Sequence, residues 1–205
     1  MDLIAQGAEA KIYKDREVVV KERIKKEYRI KEIDERLRKE RTKSEANLIS
    51  RASRLGIRVP RIIEEDYKEM KLILEFIDGI KVRDFFDKAS KEEVKNISEE
   101  IGKQTSMMHY GNVTHGDLTT SNLILKDGEV YFIDFGLGAY TEKLDDKAVD
   151  LHVFKECLTS KHYDVSRICW LAFRKGYLSY QSESAEKVLE QLDKVEARGR
   201  YKKGH

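Results

Sequence analysis

Along the first part of the chain, apolar residues come in short alternating or β-branched runs. Residues 3–5, 12–14 and 18–20 read as three strands, the last being the VVV of EVVVKE. A densely charged helical tract follows. Its clearest part is residues 42–55, where Ala46, Leu48, Ile49, Ala52 and Leu55 recur at helical spacing and Gly56 supplies the stop. Two further strands are predicted at residues 61–66 and 71–76. The pattern then changes period. Ser90 and Glu93 have the spacing of a capping box, and Val94, Ile97, Ile101 and Met108 keep to one face of the helix that follows. After an apolar hairpin, helices are predicted around residues 146–158, 165–175 and 184–198. The fold class is therefore α+β. A small β-rich lobe with one main helix spans residues 1–77, a mainly α lobe spans residues 78–205, and residues 77–80 connect them.

The hairpin carries the chemistry. Residues 114–136 read THGDLTTSNLILKDGEVYFIDFG, with Asp127-Gly128 between two apolar runs, a strong signal for a two-residue turn. That turn sets Lys126 opposite Glu129, Leu125 opposite Val130, Ile124 opposite Tyr131 and Leu123 opposite Phe132. Asn122 and Asp134 then flank the open end as neighbours. Strict strand parity would point them to opposite faces, but both lie where the chain must turn. Their oxygens suit a magnesium ion, which takes one or two protein groups with phosphate oxygens and water. Asp117, in the loop entering the hairpin, is placed to orient a hydroxyl or water.

Composition narrows the setting. Charged residues make up 38% of the 205 residues, yet Lys+Arg 40 and Asp+Glu 38 nearly cancel to +2, so any nucleic-acid surface is local. Cys157 and Cys169 have neither a Cys-x-x-Cys spacing nor a histidine cluster beside them, which disfavours a zinc site or a disulfide framework. The N-terminus has no basic start followed by an apolar run, and no apolar stretch suits a bilayer; the expectation is a cytoplasmic protein with no membrane partner.

His115-Gly116-Asp117 with Asn122 resembles the H-x-D-x-x-x-x-N catalytic loop of the protein-kinase superfamily, and Asp134-Phe135-Gly136 its D-F-G. The resemblance implies a phosphate-binding lysine at Lys21 and a helix carboxylate at Glu45 to hold it, with Glu40 as the competing choice. It places Gly7 in the loop over the phosphates and Glu75 to Ile77 in the segment that meets adenine. Three departures stand out. AQGAEAKI keeps only the middle glycine and sets Glu9 where phosphate oxygens should approach. Thr119 stands where protein kinases carry a lysine. With Pro60 the single proline, no A-P-E follows Gly136.

These departures fit one family. QGAEAKIY, VVVKERIKKEYR, ERTKSEANLISRA, VTHGDLTTSNLIL, IDFGLG and ARGRYKKG together resemble the small atypical kinase subunits of KEOPS complexes, along essentially the whole chain. The resemblance implies a reduced bilobal kinase fold that binds ATP with Mg2+, phosphorylates Ser/Thr, and serves a threonylcarbamoyl transferase as an ATPase or switch. Small KEOPS subunits and tRNA are the further expected partners. Residue by residue, it makes Lys21, Glu45 and Asp117 catalytic, and Asn122 and Asp134 the metal ligands. Gly7, Glu75 and Ile77 would contact the nucleotide. Asp150 would brace the catalytic loop, and His115 would be structural. Two basic features are candidates for tRNA or partner contact: the tract from Lys21 to Lys43, with eleven Lys/Arg against six acids, and the tail residues Arg198, Arg200, Lys202 and Lys203. The rival readings are a broad Ser/Thr protein kinase, a small-molecule phosphotransferase and a catalytically inactive scaffold.

Overall fold

The structure, a computed structural model, describes residues 1–202, with the backbone alone for residues 199–202. Five antiparallel strands form the N-terminal sheet: β1 (Asp2–Gln6), β2 (Ala10–Asp15), β3 (Val18–Arg23), β4 (Ile62–Asp66) and β5 (Lys71–Glu75), in the order β1-β2-β3-β5-β4. The β-branched run at Val18 lies inside the sheet because β3 pairs with both β2 and β5. Between β3 and β4 runs α1 (Lys31–Arg54). It packs Ala46, Leu48, Ile49 and Ala52 into the core and ends where expected, with Gly56 at φ +82° just beyond it.

The predicted helix thus starts about three turns earlier than its apolar pattern. No side-chain cap marks that start. Instead Asp34, buried near the N-terminus of α1, accepts from Arg38 Nε at 2.7 Å and from the Lys26 backbone N–H at 3.2 Å. Charge pairing, not apolar periodicity, fixes this end.

The second half is helical around a small sheet. Residues 77–80 do more than connect. Ile77 is buried, and β6 (Ile80–Lys81) pairs with β8 (Leu123–Lys126), which in turn pairs with β9 (Glu129–Phe132). A short α2 (Val82–Phe86) precedes α3 (Lys91–Tyr110), whose Ser90–Glu93 capping box forms as the spacing predicts. The two-residue strands β7 (Val113–Thr114) and β10 (Ala139–Tyr140) close the loop around the hairpin, and α4 (Leu144–Lys161), α5 (Ser166–Leu178) and α6 (Ser182–Lys202) complete the fold. No helix among the described residues is long and apolar enough to cross a membrane.

Helices α3 and α5 meet through glycine. A Cβ built on Gly102 would lie 2.0 Å from the Phe173 carbonyl oxygen, and one on Gly176 would lie 1.8 Å from that of Glu99. This contact lets Phe173 pack between Phe154 and Trp170. In an ordinary helix Gly→Ala stabilises by about 0.5–1 kcal/mol. At Gly176 the overlap is with backbone, so the helices must separate, and overpacking of this kind costs about 1–3 kcal/mol or more. Gly176→Ala should therefore lower stability in urea denaturation despite its better helix propensity; an increase would show that α3 and α5 do not approach this closely.

Candidate active site

The hairpin has the register its turn dictates: Leu123 opposite Phe132, Ile124 opposite Tyr131, Leu125 opposite Val130, Lys126 opposite Glu129. Asp127 and Gly128 take φ of +51° and +80°, as a two-residue turn of this kind requires. At the open end Ile133 N–H donates to the Asn122 carbonyl at 3.0 Å. Beyond that bond both strands leave extended geometry. Asn122 closes a 3-10 turn (Thr120–Asn122), and Asp134 has φ +65°. The parity of a flat strand therefore does not govern these two side chains.

Their polar ends have definite partners. Asn122 Nδ2 donates to the Asp117 carbonyl at 2.9 Å and to Asp117 Oδ2 at 2.8 Å. With the amide nitrogen so engaged, its Oδ1 is the atom turned away from Asp117 and available to a cation. Asp134 Oδ1 accepts from Lys21 Nζ at 2.7 Å and from Gly136 N–H at 3.2 Å. Burial would raise the Asp134 pKa, but the Lys21 charge, its hydrogen bond and the Gly136 amide outweigh this and hold the carboxyl below its ordinary value.

Lys21 is itself held from the other side, with Nζ 2.6 Å from Glu45 Oε1. Both are buried, Glu45 to 2% exposure, on the same helix face as Leu48, Ile49 and Ala52. Glu40 is excluded as the partner because it lies on the exposed side of α1, near Arg36. One contact escaped the sequence reading: Arg23, also buried, donates from Nη2 to Glu45 Oε2. A period of two along β3 puts Lys21 and Arg23 on one face, which is the signal that could have found it.

The loop carrying Asp117 is braced from behind. Asp150, buried on α4, accepts the backbone N–H of His115 at 2.5 Å and of Gly116 at 2.7 Å, with His109 Nε2 at 3.3 Å. Burial alone would raise its pKa; the His109 hydrogen bond and charge, with the loop amide, bring it below the ordinary value. Gly116 has φ +80°, and a Cβ there would lie 2.0 Å from the Leu137 carbonyl, so glycine is required on two counts. His115 Nδ1 accepts from Asp117 N–H at 3.3 Å, which leaves Nε2–H to donate to the Ile133 carbonyl at 3.0 Å. The ring bridges the loop to the far end of the hairpin.

The loop from Gly7 to Ala10 resolves the puzzle of Glu9. Its carboxylate is bonded to Arg41 Nη1 of α1, and Lys26 Nζ donates to the Ala8 carbonyl, so the acid is compensated within the chain. A Cβ on Gly7 would meet nothing within 4 Å. Glu75 turns its side chain to Arg61, while Ile77 is buried. Of the tail residues, Arg198 Nη1 donates to Asp145 Oδ1 at 3.2 Å; the side chains of Arg200 and Lys202, and all of Lys203, lie outside the described residues.

The depressed Asp150 carboxyl carries a pH signature. A folded pKa below the unfolded one gives stabilisation that is complete above the ordinary value of 3.8 and is lost as pH falls through the lower folded value. Urea denaturation from pH 5 down to about pH 2 should show stability falling once the pH drops below 3.8. Asp150→Asn should shallow that fall and, by leaving a loop amide short of an acceptor, lower stability at neutral pH by about 1–3 kcal/mol.

With this geometry in view, the chain can be set beside known proteins. Residues 7–150 match the RIO domain. The chain is 42% identical to KEOPS complex subunit Bud32 of Pyrococcus abyssi, over 98% of this chain and 97% of that protein. It is 40% identical, over 96% of its own length, to a probable bifunctional tRNA threonylcarbamoyladenosine biosynthesis protein of Methanosphaera stadtmanae, but spans only 36% of that longer relative. WaaP, in its complex with acyl carrier protein, superposes with a TM-score of 0.65 at 13% identity, over 96% of this chain and 88% of WaaP, a likeness of fold alone. The chain has a protein-kinase-like α+β fold and belongs to the RIO domain family, in the branch represented by KEOPS complex subunit Bud32.

Proposed function

We propose that this chain is a Mg-ATP-dependent atypical Ser/Thr kinase and ATPase, acting as a regulatory subunit of a KEOPS complex in the threonylcarbamoyladenosine modification of tRNA. The observation that carries the reading is a pair of side-chain contact sets that meet at the hairpin's open end, where the Ile133 N–H donates to the Asn122 carbonyl at 3.0 Å. Glu45 holds Lys21, Lys21 meets Asp134, and across the hairpin's open end Asn122 holds Asp117. The donor set fits both implied groups: a carboxylate and an amide oxygen suit magnesium, and a buried lysine between carboxylates suits a phosphate.

In this reading residues 1–77 cover the nucleotide and residues 78–205 carry the catalytic loop. The Gly7 loop lies over the phosphates, backbone at Glu75 and Ile77 meets the adenine, and Lys21 binds phosphate oxygens while Glu45 keeps its ammonium in place. Asn122 Oδ1 and Asp134 would hold the metal, which when bound neutralises charge on the phosphate oxygens. Asp117, its carboxylate oriented by Asn122 Nδ2, accepts the proton of a hydroxyl or orients a water. Only residues 137–143 separate Gly136 from α4. So short a segment offers little platform for extended peptides and favours a dedicated role over that of a broad protein kinase. The transferase subunit, small KEOPS subunits and, through the complex, tRNA are the proposed partners, with Arg198, Arg200, Lys202 and Lys203 as the proposed contact region and the cytoplasm as the site of action.

ATP hydrolysis measured by phosphate release tests this directly. Asp117→Ala should reduce kcat by about 10²–10⁴, the usual range for a positioned acid–base group. The transferase and tRNA together should raise the wild-type rate. A high basal rate that neither Asp117→Ala nor the partners alter would overturn the reading.

A further inference from the structure

Resting on the reading of Lys21 as the phosphate-binding lysine, we infer that Arg23 is a positioning residue for the nucleotide phosphates. It keeps Glu45 neutralised so that the Lys21 ammonium can turn from Asp134 toward an anion.

The argument starts from burial. Lys21 and Arg23 are 7% and 6% exposed, and both point at Glu45, one to each carboxylate oxygen. One cation suffices to neutralise one carboxylate, and a second buried cation is costly unless something else answers its charge. What answers it is Asp134, the other acid on the Lys21 ammonium. Three of the four groups crowd about Gly136: a Cβ there would lie 3.0 Å from Asp134 Oδ1, 3.3 Å from Arg23 Nη2 and 3.4 Å from Lys21 Nζ. Two cations and two carboxylates make the cluster neutral.

Neutrality has a consequence for an anionic ligand. Without Arg23 the pocket carries a net negative charge, and the Glu45 carboxylate falls wholly to Lys21. The ammonium is then held by two acids with nothing to relieve it, and a phosphate must compete with both. With Arg23 in place, Glu45 remains compensated when Lys21 shifts one of its three donors to a phosphate oxygen. Arg23 also reaches the carboxylate from the neighbouring position on the same strand, so it fixes the Glu45 rotamer independently of where the lysine points.

The inference is separable from simple loss of packing because it concerns charge. Affinities for ATP and for adenosine, which lacks phosphates, are measured by titration calorimetry without and with Mg2+, on the full chain. The variants are Arg23→Met, Arg23→Lys and the double variant Arg23→Met/Glu45→Gln, with thermal unfolding of each. Loss of one unit charge beside the phosphates is worth about tenfold or more at an effective dielectric of about 20. Arg23→Met should thus bind ATP at least about tenfold more weakly and adenosine unchanged. Arg23→Lys should keep most of the ATP affinity. The double variant, neutral again, should recover ATP binding relative to Arg23→Met. Equal losses for ATP and adenosine, or no recovery in the double variant, would overturn the inference and leave Arg23 as packing. Should Arg23→Met not fold, Arg23→Gln, which removes the charge but keeps a donor toward Glu45, takes its place alone and in the double variant with Glu45→Gln; ATP affinity equal to wild type in Arg23→Gln, or no recovery in its double variant, would overturn the inference. Absence of ATP binding by the wild type would instead bring down the proposed function, and this inference with it.

Discussion

An ionised carboxylate cannot remain in an apolar contact between a helix and a sheet unless cations meet it there, and Glu45 is in that position. The rest of the N-terminal architecture follows from how it is met. The apolar residues Ala46, Leu48, Ile49 and Ala52 fix the rotation of α1, so Glu45 has no route to solvent. β3 must then present cations on its inner face, and it presents two. One of them, Lys21, reaches onward to Asp134, over a hundred residues away in sequence. A single buried charge thereby joins sheet, helix and the segment after the hairpin, and breaking such a cluster on one side costs about 3–5 kcal/mol.

The catalytic-loop side obeys the same rule with different partners. Asp150 is as deeply buried as Glu45, but its charge is answered by successive backbone amides and a histidine rather than by lysine and arginine. That choice fixes backbone, which is what a loop needs. The left-handed Gly116 and the His115 bridge to Ile133 then leave the loop little freedom. Asp117 and Asn122, half-buried and bonded to each other, stand on a frame built from charges they do not themselves share.

How much of this the sequence discloses depends on the range of the interaction. The hairpin register is legible because Asp127-Gly128 determines it locally, and the start of α3 because Ser90 and Glu93 lie within one turn of each other. Glu45 is legible because a lone acid on an apolar helical face needs a distant cation. Arg41 is not, and Arg23 is so only through the period of two that sets it on the same face of β3 as Lys21. Each sits in a tract crowded with charges, where composition cannot say which of many cations meets Glu45 or Glu9. The two-residue strands β6, β7 and β10 escape for another reason: such short pairings have no periodicity of their own and exist only where tertiary structure brings two backbones together.

The fate of the charged tract from Lys21 to Lys43 follows from these points. Its eleven cations and six acids read as a basic surface suited to RNA. In the folded chain Lys21 and Arg23 serve Glu45, Arg29 and Arg38 serve the buried Asp34, Arg41 serves Glu9, and Lys26 holds the Ala8 carbonyl. Lys31 and Arg36 face Glu35 and Glu40 on the helix surface, at 4.0 Å and 3.9 Å. Among the described residues, that leaves Lys25, Lys39 and Lys43 as exposed cations of the tract outside such pairs. The basic excess is therefore largely internal. It holds the loop after β1 and the start of α1 against the sheet, and so belongs to the architecture of the candidate nucleotide site before it belongs to any nucleic-acid surface. Counterion release scales with the number of phosphates neutralised, and a tract so committed supplies few.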